Sequence, residues 1–491
     1  MLNLKQLIDI RGRRSGRFVI VLGLLSALAA CGTENDLASS SGELSDVSDI
    51  PQTSADNYDD NVNGLVTGNT LKSWMTDWTA NKPAGITGKL VILQTSAGET
   101  GFEYLTSNDS NVFTYEVASS EWIETRSNGV IETISMVPSG RAMDTFLAKY
   151  NINPAEDMIV CAQGTAGAGQ SMRAGRCWYM FRYWGTPKEH LAVLNGGNQW
   201  LGTATNTSLE GTDFSATADT PPLNGTASVK DLPEINVVLQ ATMEDMLNIV
   251  PAQDVNLLTD GVFIWDARGN GTPASSGNEY SPDDDTDHRN GGSTQGHPNG
   301  ALMLTYTNLL NTTEGYTYKT KAEIQSYMNG DTDGGGVGFA GADLQLVGNG
   351  YAYQNGDVVY TYCETTFRAM ITGIASAVVL GLPTRFYDGA MFEWHSLATA
   401  VDSNGDTILP WDSPWRTDKD SISMFRYHST PASVTPRNIT NAYATSANAI
   451  IEEDLAYKGY AVSSSSSTSS STTSSGGSSG GSLLPPNPCG G

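Results

Sequence analysis

Two stretches of this chain, about 195 residues apart, run through the same succession of strand, helix, glycine and strand. In the first, Asp157-Met158-Ile159-Val160-Cys161 reads as a buried strand, and a helical run over 172–184 stops at Gly185. Leu191-Ala192-Val193-Leu194 then leads into Asn195-Gly196-Gly197, with Trp200 beyond. In the second, 357–362 is the strand, a helix over 368–380 stops at Gly381, and Arg385-Phe386-Tyr387 leads into Asp388-Gly389, with Trp394 beyond. A strand, crossover helix and strand of this kind gives parallel strands buried on both faces. The front ends match too: Ser139 is placed to cap a helix ending near Tyr150, Thr242-x-x-Asp245 is a capping-box start, and 262–266 is an apolar strand. The expected fold is α/β, with two domains that each hold a central parallel sheet flanked by helices.

The ends of the chain are of another character. Lys5, Arg11, Arg13, Arg14 and Arg17 precede an apolar stretch over 18–27 that is too short to span a bilayer and right for a signal sequence. Leu28-Ala29-Ala30-Cys31 follows, and small residues before a cysteine resemble the lipobox of bacterial lipoproteins. The expectation is an exported protein, lipidated at Cys31 and held at the outer membrane rather than the inner one. Losing 1–30 would remove five basic residues and Asp9, making a chain of formal charge −26 more acidic still. Such a surface argues against nucleic acid as a partner and against attraction to anionic lipid, so the lipid alone would provide the membrane contact.

The sequence divides into a signal peptide over 1–30, a flexible tether over 31–64 and a first domain over 65–205. A linker over 206–235, a second domain over 236–460 and a Ser/Gly-rich tail over 461–491 follow. The second domain carries two polar inserts, 269–295 and 308–350. The cysteines are Cys31, Cys161, Cys177, Cys363 and Cys489, too few for a disulfide framework in a chain this long and at spacings that match no zinc pattern.

Chemistry points to Cys363. It stands at the carboxyl end of a central strand, and Cys363-Glu364-Thr365-Thr366-Phe367-Arg368 feeds a helix. In open α/β sheets that edge is where ligands bind. Loop amides and the helix N-terminus there favour a thiolate, or the anionic outer sulfur of a persulfide. In the first half Ala162 falls at the matching position, and Cys161, one place earlier, reads as core.

The second half resembles a rhodanese, the thiosulfate/mercaptopyruvate sulfurtransferase family. The pieces are Asp266-Ala267-Arg268 after a strand, Glu279-Tyr280, the turn Gly296-His297-Pro298-Asn299-Gly300-Ala301, the loop Cys363 to Arg368, and Tyr387-Asp388-Gly389 with Glu393-Trp394. The first half resembles the N-terminal domain of tandem rhodaneses through residues 176–182 and 194–197, so the likeness spans about 65–460 apart from the inserts. It implies a silent first domain and a second in which Cys363 takes a sulfur atom from a donor and passes it to a thiol acceptor. Loop residues Glu364, Thr365, Thr366, Phe367 and Arg368 would hold the persulfide, with Asp266, Arg268 and His297 in support. Four residues between cysteine and arginine suit sulfur, whereas the related phosphatases use one more. Glu364 and Glu279 stand where thiosulfate-using rhodaneses carry basic residues, so thiosulfate is disfavoured as donor. The usual loop glycine is also missing.

No cofactor beyond the cysteine's own persulfide is implied. Cys489, on its long tail, is a candidate sulfur acceptor. The acidic stretches 283–287, 331–333 and 402–406 echo pieces of calcium loops without completing one, and solvated acidic loops are the expectation. Partners would be a small-molecule or protein persulfide donor and a thiol acceptor. The other reading is a catalytically degenerate rhodanese-like binding subunit of an envelope assembly.

Overall fold

The computed structural model describes residues 44–202, 208–250, 260–269, 279–281, 288–289, 293–399, 404, 406–419, 421–425 and 438–461. Signal peptide, Cys31, the acidic run 283–287 and the tail with Cys489 lie outside them. The strands used below are β1 Gly64–Val66, β2 Leu90–Gln94, β3 Val112–Glu116, β4 Glu124–Ser127, β5 Glu132–Met136, β6 Met158–Ala162 and β7 Leu191–Leu194. In the second half they are β8 Gln240–Ala241, β9 Val262–Asp266, β10 Leu302–Met303, β11 Leu310–Asn311, β12 Thr317–Tyr318, β13 Val358–Tyr362 and β14 Thr384–Tyr387. The helices are α1 Gly68–Thr76, α2 Gly140–Tyr150, α3 Ala168–Tyr183, α4 Met243–Ile249, α5 Lys321–Met328, α6 Phe367–Ile374, α7 Ala390–Thr399 and α8 Ala449–Lys458.

Two five-stranded parallel sheets result, in the orders β1-β7-β6-β2-β3 and β8-β14-β13-β9-β10. Counted along each half, both run first, fifth, fourth, second, third, so the repeat read in the sequence is a repeat of topology. β2 and β6 are buried at every position, as helices on both faces of a parallel sheet require. The capping expectations hold, with Ser139 accepting from the Ala142 amide and Thr242 from the Asp245 amide. Gly185 ends the α3 segment at φ +97°, where an added Cβ would lie 2.1 Å from the Glu234 carbonyl oxygen.

α3 and α6 lie between the sheets and pack on one another. Gly175 permits this approach, since a Cβ there would stand 2.8 Å from that of Met370. α3 is buried along nearly its whole length, including Arg176 and Arg182, so it is a central helix and not an amphipathic surface one.

Two sequence expectations are corrected. Part of the flexible tether over 31–64 is packed chain from residue 44 onward. α6 continues into a wide π-helical turn, Ala375–Val379, and two carbonyls of that turn accept from the N-terminal segment, Ala377 from the Gln52 amide at 3.0 Å and Val379 from the Ser54 amide at 3.1 Å. Ile50 is buried beside them. α8, counted with the second domain, packs instead on the first half, where Arg126 of β4 meets Asp454 at 2.7 Å and the Tyr183 hydroxyl donates to the same carboxylate. The linker is packed from 208, with Val229 and Leu232 buried and Asp219 exchanging two hydrogen bonds with Thr114 of β3.

The insert over 308–350 folds into the hairpin β11–β12 and α5, and lies against the carboxyl edge of the first sheet. The Tyr318 amide donates to the Asn195 side chain at 2.8 Å and the Gly197 amide to the Gly315 carbonyl at 3.0 Å. Asp333, one of the calcium-loop candidates, accepts from the Gly335 and Val337 amides and the Tyr327 hydroxyl, which explains it as a turn residue. No helix among the described residues is long and apolar enough to cross a membrane.

Candidate active site

β13 delivers Cys363 to the carboxyl edge of the second sheet, and four residues later α6 begins. The loop is fastened to the first turn of α7: the Met391 amide donates to the Cys363 carbonyl at 3.1 Å and the Phe392 amide to that of Glu364 at 2.9 Å. These bonds satisfy amides that a helix N-terminus leaves without intrahelical partners. Thr366 caps α6 at φ +70°, ψ −22°, the left-handed conformation for which the missing loop glycine would be suited. A β-branched residue there costs roughly 1–2 kcal/mol. Its hydroxyl is held by the Asp388 carbonyl, which offsets part of that cost.

Cys363 remains a thiol and is wholly buried. It shares a small apolar cluster with Ala267 and Ala369, and half-buried Tyr306 packs over them. The sequence expectation of a cysteine at a strand-to-helix loop is met in position. In surroundings it differs, because apolar side chains and a tyrosine ring cover that loop.

The charged residues expected around the thiol are paired with one another. The Arg368 guanidinium meets the Glu279 carboxylate with both nitrogens, at 2.5 and 2.8 Å, and both side chains are buried. Arg268 grips Asp266 through Nε at 2.9 Å and Nη2 at 2.7 Å, reaches Gln295 and the Gly296 carbonyl, and lies 3.5 Å from Glu364. The Tyr362 hydroxyl donates to Asp266 at 2.7 Å. Burial works to raise the Asp266 carboxyl, but Arg268 and these hydrogen bonds outweigh it and hold it below the usual range. Glu279 and Glu364, expected to disfavour thiosulfate, thus lie within an ion-pair network.

His297 stacks on Tyr280 with ring centres 3.9 Å apart, and its Nδ1 lies 2.6 Å from the Tyr280 carbonyl oxygen. Burial pushes its pKa down to about 4, so near neutral pH the ring is uncharged. Its backbone pairs with residues 423–425, which makes it a wall of the site.

In the first half Ala162 ends β6 opposite Gln94 as Tyr362 ends β13 opposite Asp266, so Gln163 and not Ala162 matches Cys363; Cys161 is more than core, being joined to Cys177 of α3 in a disulfide. Strand and helix bring the two onto one face, a match that spacing alone did not reveal. The adjoining loop is held by Thr95 and Ser96, which donate to the Gln163 carbonyl, by the Asn198 amide, which donates to Gly164, and by the Gln199 side chain, which accepts from Ala166. The insert hairpin covers this edge.

Residues of the first half nevertheless reach the Cys363 loop. Arg176 of α3 forms a buried ion pair with Asp388, with Nη2 to Oδ2 at 3.1 Å, and Asp388 also accepts from the Val137 amide at 2.7 Å. Asp388 is the residue whose carbonyl holds Thr366. Neither residue was singled out as functional in the sequence.

Glu393 lies buried at the same seam, accepting from Asn128 at 2.5 Å and Thr133 at 3.3 Å of the first half. Burial raises its pKa from 4.5 to about 7, against the opposing hydrogen bonds. A carboxyl raised on folding stabilises the native state fully below its unfolded pKa, and that contribution is lost as pH rises through the folded value. Glu393→Gln should therefore flatten the decline in stability between pH 4.5 and about 7, by up to roughly 3 kcal/mol, when urea midpoints of variant and parent are compared across that window.

No family model and no curated protein matches the sequence. Among solved structures the chain is similar to the Tum1 protein from Saccharomyces cerevisiae, at 15% identity and a TM-score of 0.45 over 68% of this chain and 95% of that one. It is similar to SseA from Escherichia coli, described with the rhodanese fold, at 17% identity and a TM-score of 0.42 over 67% and 98%. It is also similar to the 3-mercaptopyruvate sulfurtransferase from Leishmania major, at 16% identity and a TM-score of 0.40 over 68% and 75%. Each of these resemblances runs over about two thirds of this chain.

Proposed function

We propose that this chain is a sulfurtransferase that carries sulfane sulfur on Cys363. The observation supporting this is the asymmetry between the halves. At one sheet edge a thiol sits where strand turns into helix. At the matching edge the strand register places Gln163, and Cys161, two residues earlier, is consumed in a disulfide. The Cys363 thiolate attacks the outer sulfur of a protonated persulfide donor. The new S–S bond forms as the donor's own S–S bond breaks, and the electron pair leaves with the donor as its thiolate. An acceptor thiolate then attacks the outer sulfur on Cys363 and regenerates it.

The proposal includes export and lipid anchoring at Cys31. The Cys161–Cys177 disulfide supports export, since such bonds persist in oxidising compartments. Cys489 remains the proposed acceptor within the chain.

Complete burial of Cys363 favours a second reading, a binding subunit that keeps the fold without the reaction. Peptide mass spectrometry after incubation with a persulfide donor separates the two. Sulfur transfer predicts one added sulfur atom on the Cys363 peptide, and a loss of turnover on the order of 10³-fold or more in Cys363→Ser. An unmodified Cys363 with every donor tried would leave the binding reading standing.

A further inference from the structure

Resting on the assignment of Cys363 as sulfur carrier, we infer that Glu279 is an internal anion that occupies the Arg368 guanidinium and excludes negatively charged donors, so that the site selects donors uncharged beside the transferred sulfur.

Arg368 lies in the first turn of α6, five residues from Cys363, where an arginine fork would be placed to receive the anionic end of a small donor. That fork is already filled. Glu279 meets it in the two-point geometry that an incoming carboxylate or sulfonate would use, at 2.5 and 2.8 Å. The side chains are 8% and 2% exposed, so water does little to weaken the pair. An anionic donor would have to expel Glu279 and strand a buried carboxylate, an outcome that buried ion pairs strongly resist. The second arginine offers no alternative seat, because Arg268 is gripped by Asp266 and lies 3.5 Å from Glu364. The named charges around the thiol are two positive and three negative, so an added anion meets a net like charge. A donor with no charge beside its outer sulfur meets no such barrier.

Methanethiosulfonate reagents test this without turnover. A thiolate attacks their divalent sulfur, a mixed disulfide forms and methanesulfinate leaves, so ethyl and sulfonatoethyl reagents share one leaving group and differ in charge. Rates at the Cys363 peptide of the folded full chain, read by mass spectrometry, are divided by each reagent's rate with a small thiol. The parent protein should react on the order of tenfold or more slowly with the anionic reagent than with the neutral one. Glu279→Gln, which opens the fork and keeps the side-chain shape, should erase that difference. Glu279→Gln combined with Arg368→Gln should retain it, because removing one charge of each sign leaves the balance unchanged and no fork. Equal corrected rates in the parent overturn the filter and leave the assignment of Cys363 standing, and this comparison decides the matter even if the variants do not fold. An unchanged ratio in folded Glu279→Gln also overturns it. No reaction with any reagent overturns both the filter and the assignment.

Discussion

Asp388→Ala is expected to lose about 3–5 kcal/mol of stability and, with it, the setting of the Cys363 loop. The carboxylate and its partner Arg176 are 0% and 1% exposed, so deleting one leaves the other charged and desolvated in the protein interior. Among the described residues Arg176 has further hydrogen bonds only to the Trp122 and Ser135 carbonyls, and it lies over the Tyr179 ring, none of which neutralises it. The Val137 amide also loses its acceptor. Urea unfolding should show a lower midpoint with an unchanged slope. A double replacement, Arg176→Met with Asp388→Leu, should recover much of the loss, because the cost lies in the orphaned charge rather than in the missing attraction. The loop gives a second readout. Because the Asp388 backbone holds Thr366 in its left-handed turn, the alkylation rate of Cys363 should rise in the single variant. An unchanged rate would restrict Asp388 to joining the halves.

The second large effect is expected from the Cys161–Cys177 bond. It closes a loop with a sequence separation of 16 between β6 and α3, and both residues are wholly buried. Chain-entropy reasoning gives about 3 kcal/mol for a loop of this size. Replacing both cysteines by alanine should therefore lower the melting temperature by several degrees, and more if the space left is not filled. Since α3 also carries Arg176, loosening it should carry through to the Cys363 loop. Calorimetry of the variant beside the parent, both without reductant, checks the first claim, and Cys363 alkylation the second. Equal melting temperatures would mean that packing alone fixes α3 against the sheet.

The parts legible in the sequence were those with a local signature. β6 announces itself as an unbroken apolar run and β13 as one interrupted by Thr361 alone, because a parallel strand covered on both faces has no exposed polar side. Gly185 marks a helix end through its backbone, and Ser139 and Thr242 mark helix starts through their side chains. What escaped depends on partners far along the chain. Glu279 looks like a repulsive charge until Arg368, 89 residues on, is brought against it. Residues 44–54 look like tether because they have no periodicity of their own. They are ordered by the carbonyls of a π turn more than 300 residues downstream. Cys161 looks like a core residue until β6 and α3 are stacked. The position of Cys363 was readable, whereas its cover by Tyr306 was not, since nothing near residue 306 points to residue 363.

Both ends of the described chain cross to the opposite half. The opening residues lie on the second half, and α8 inserts Asp454 against Arg126 of the first. The halves are therefore clasped like folded arms. Until residues 449–458 have emerged from the ribosome, the earlier half holds an interior guanidinium with no counter-charge from Asp454. Completion of the native state must then wait for the end of synthesis, so what repeats as two modules in evolution behaves as one unit in folding.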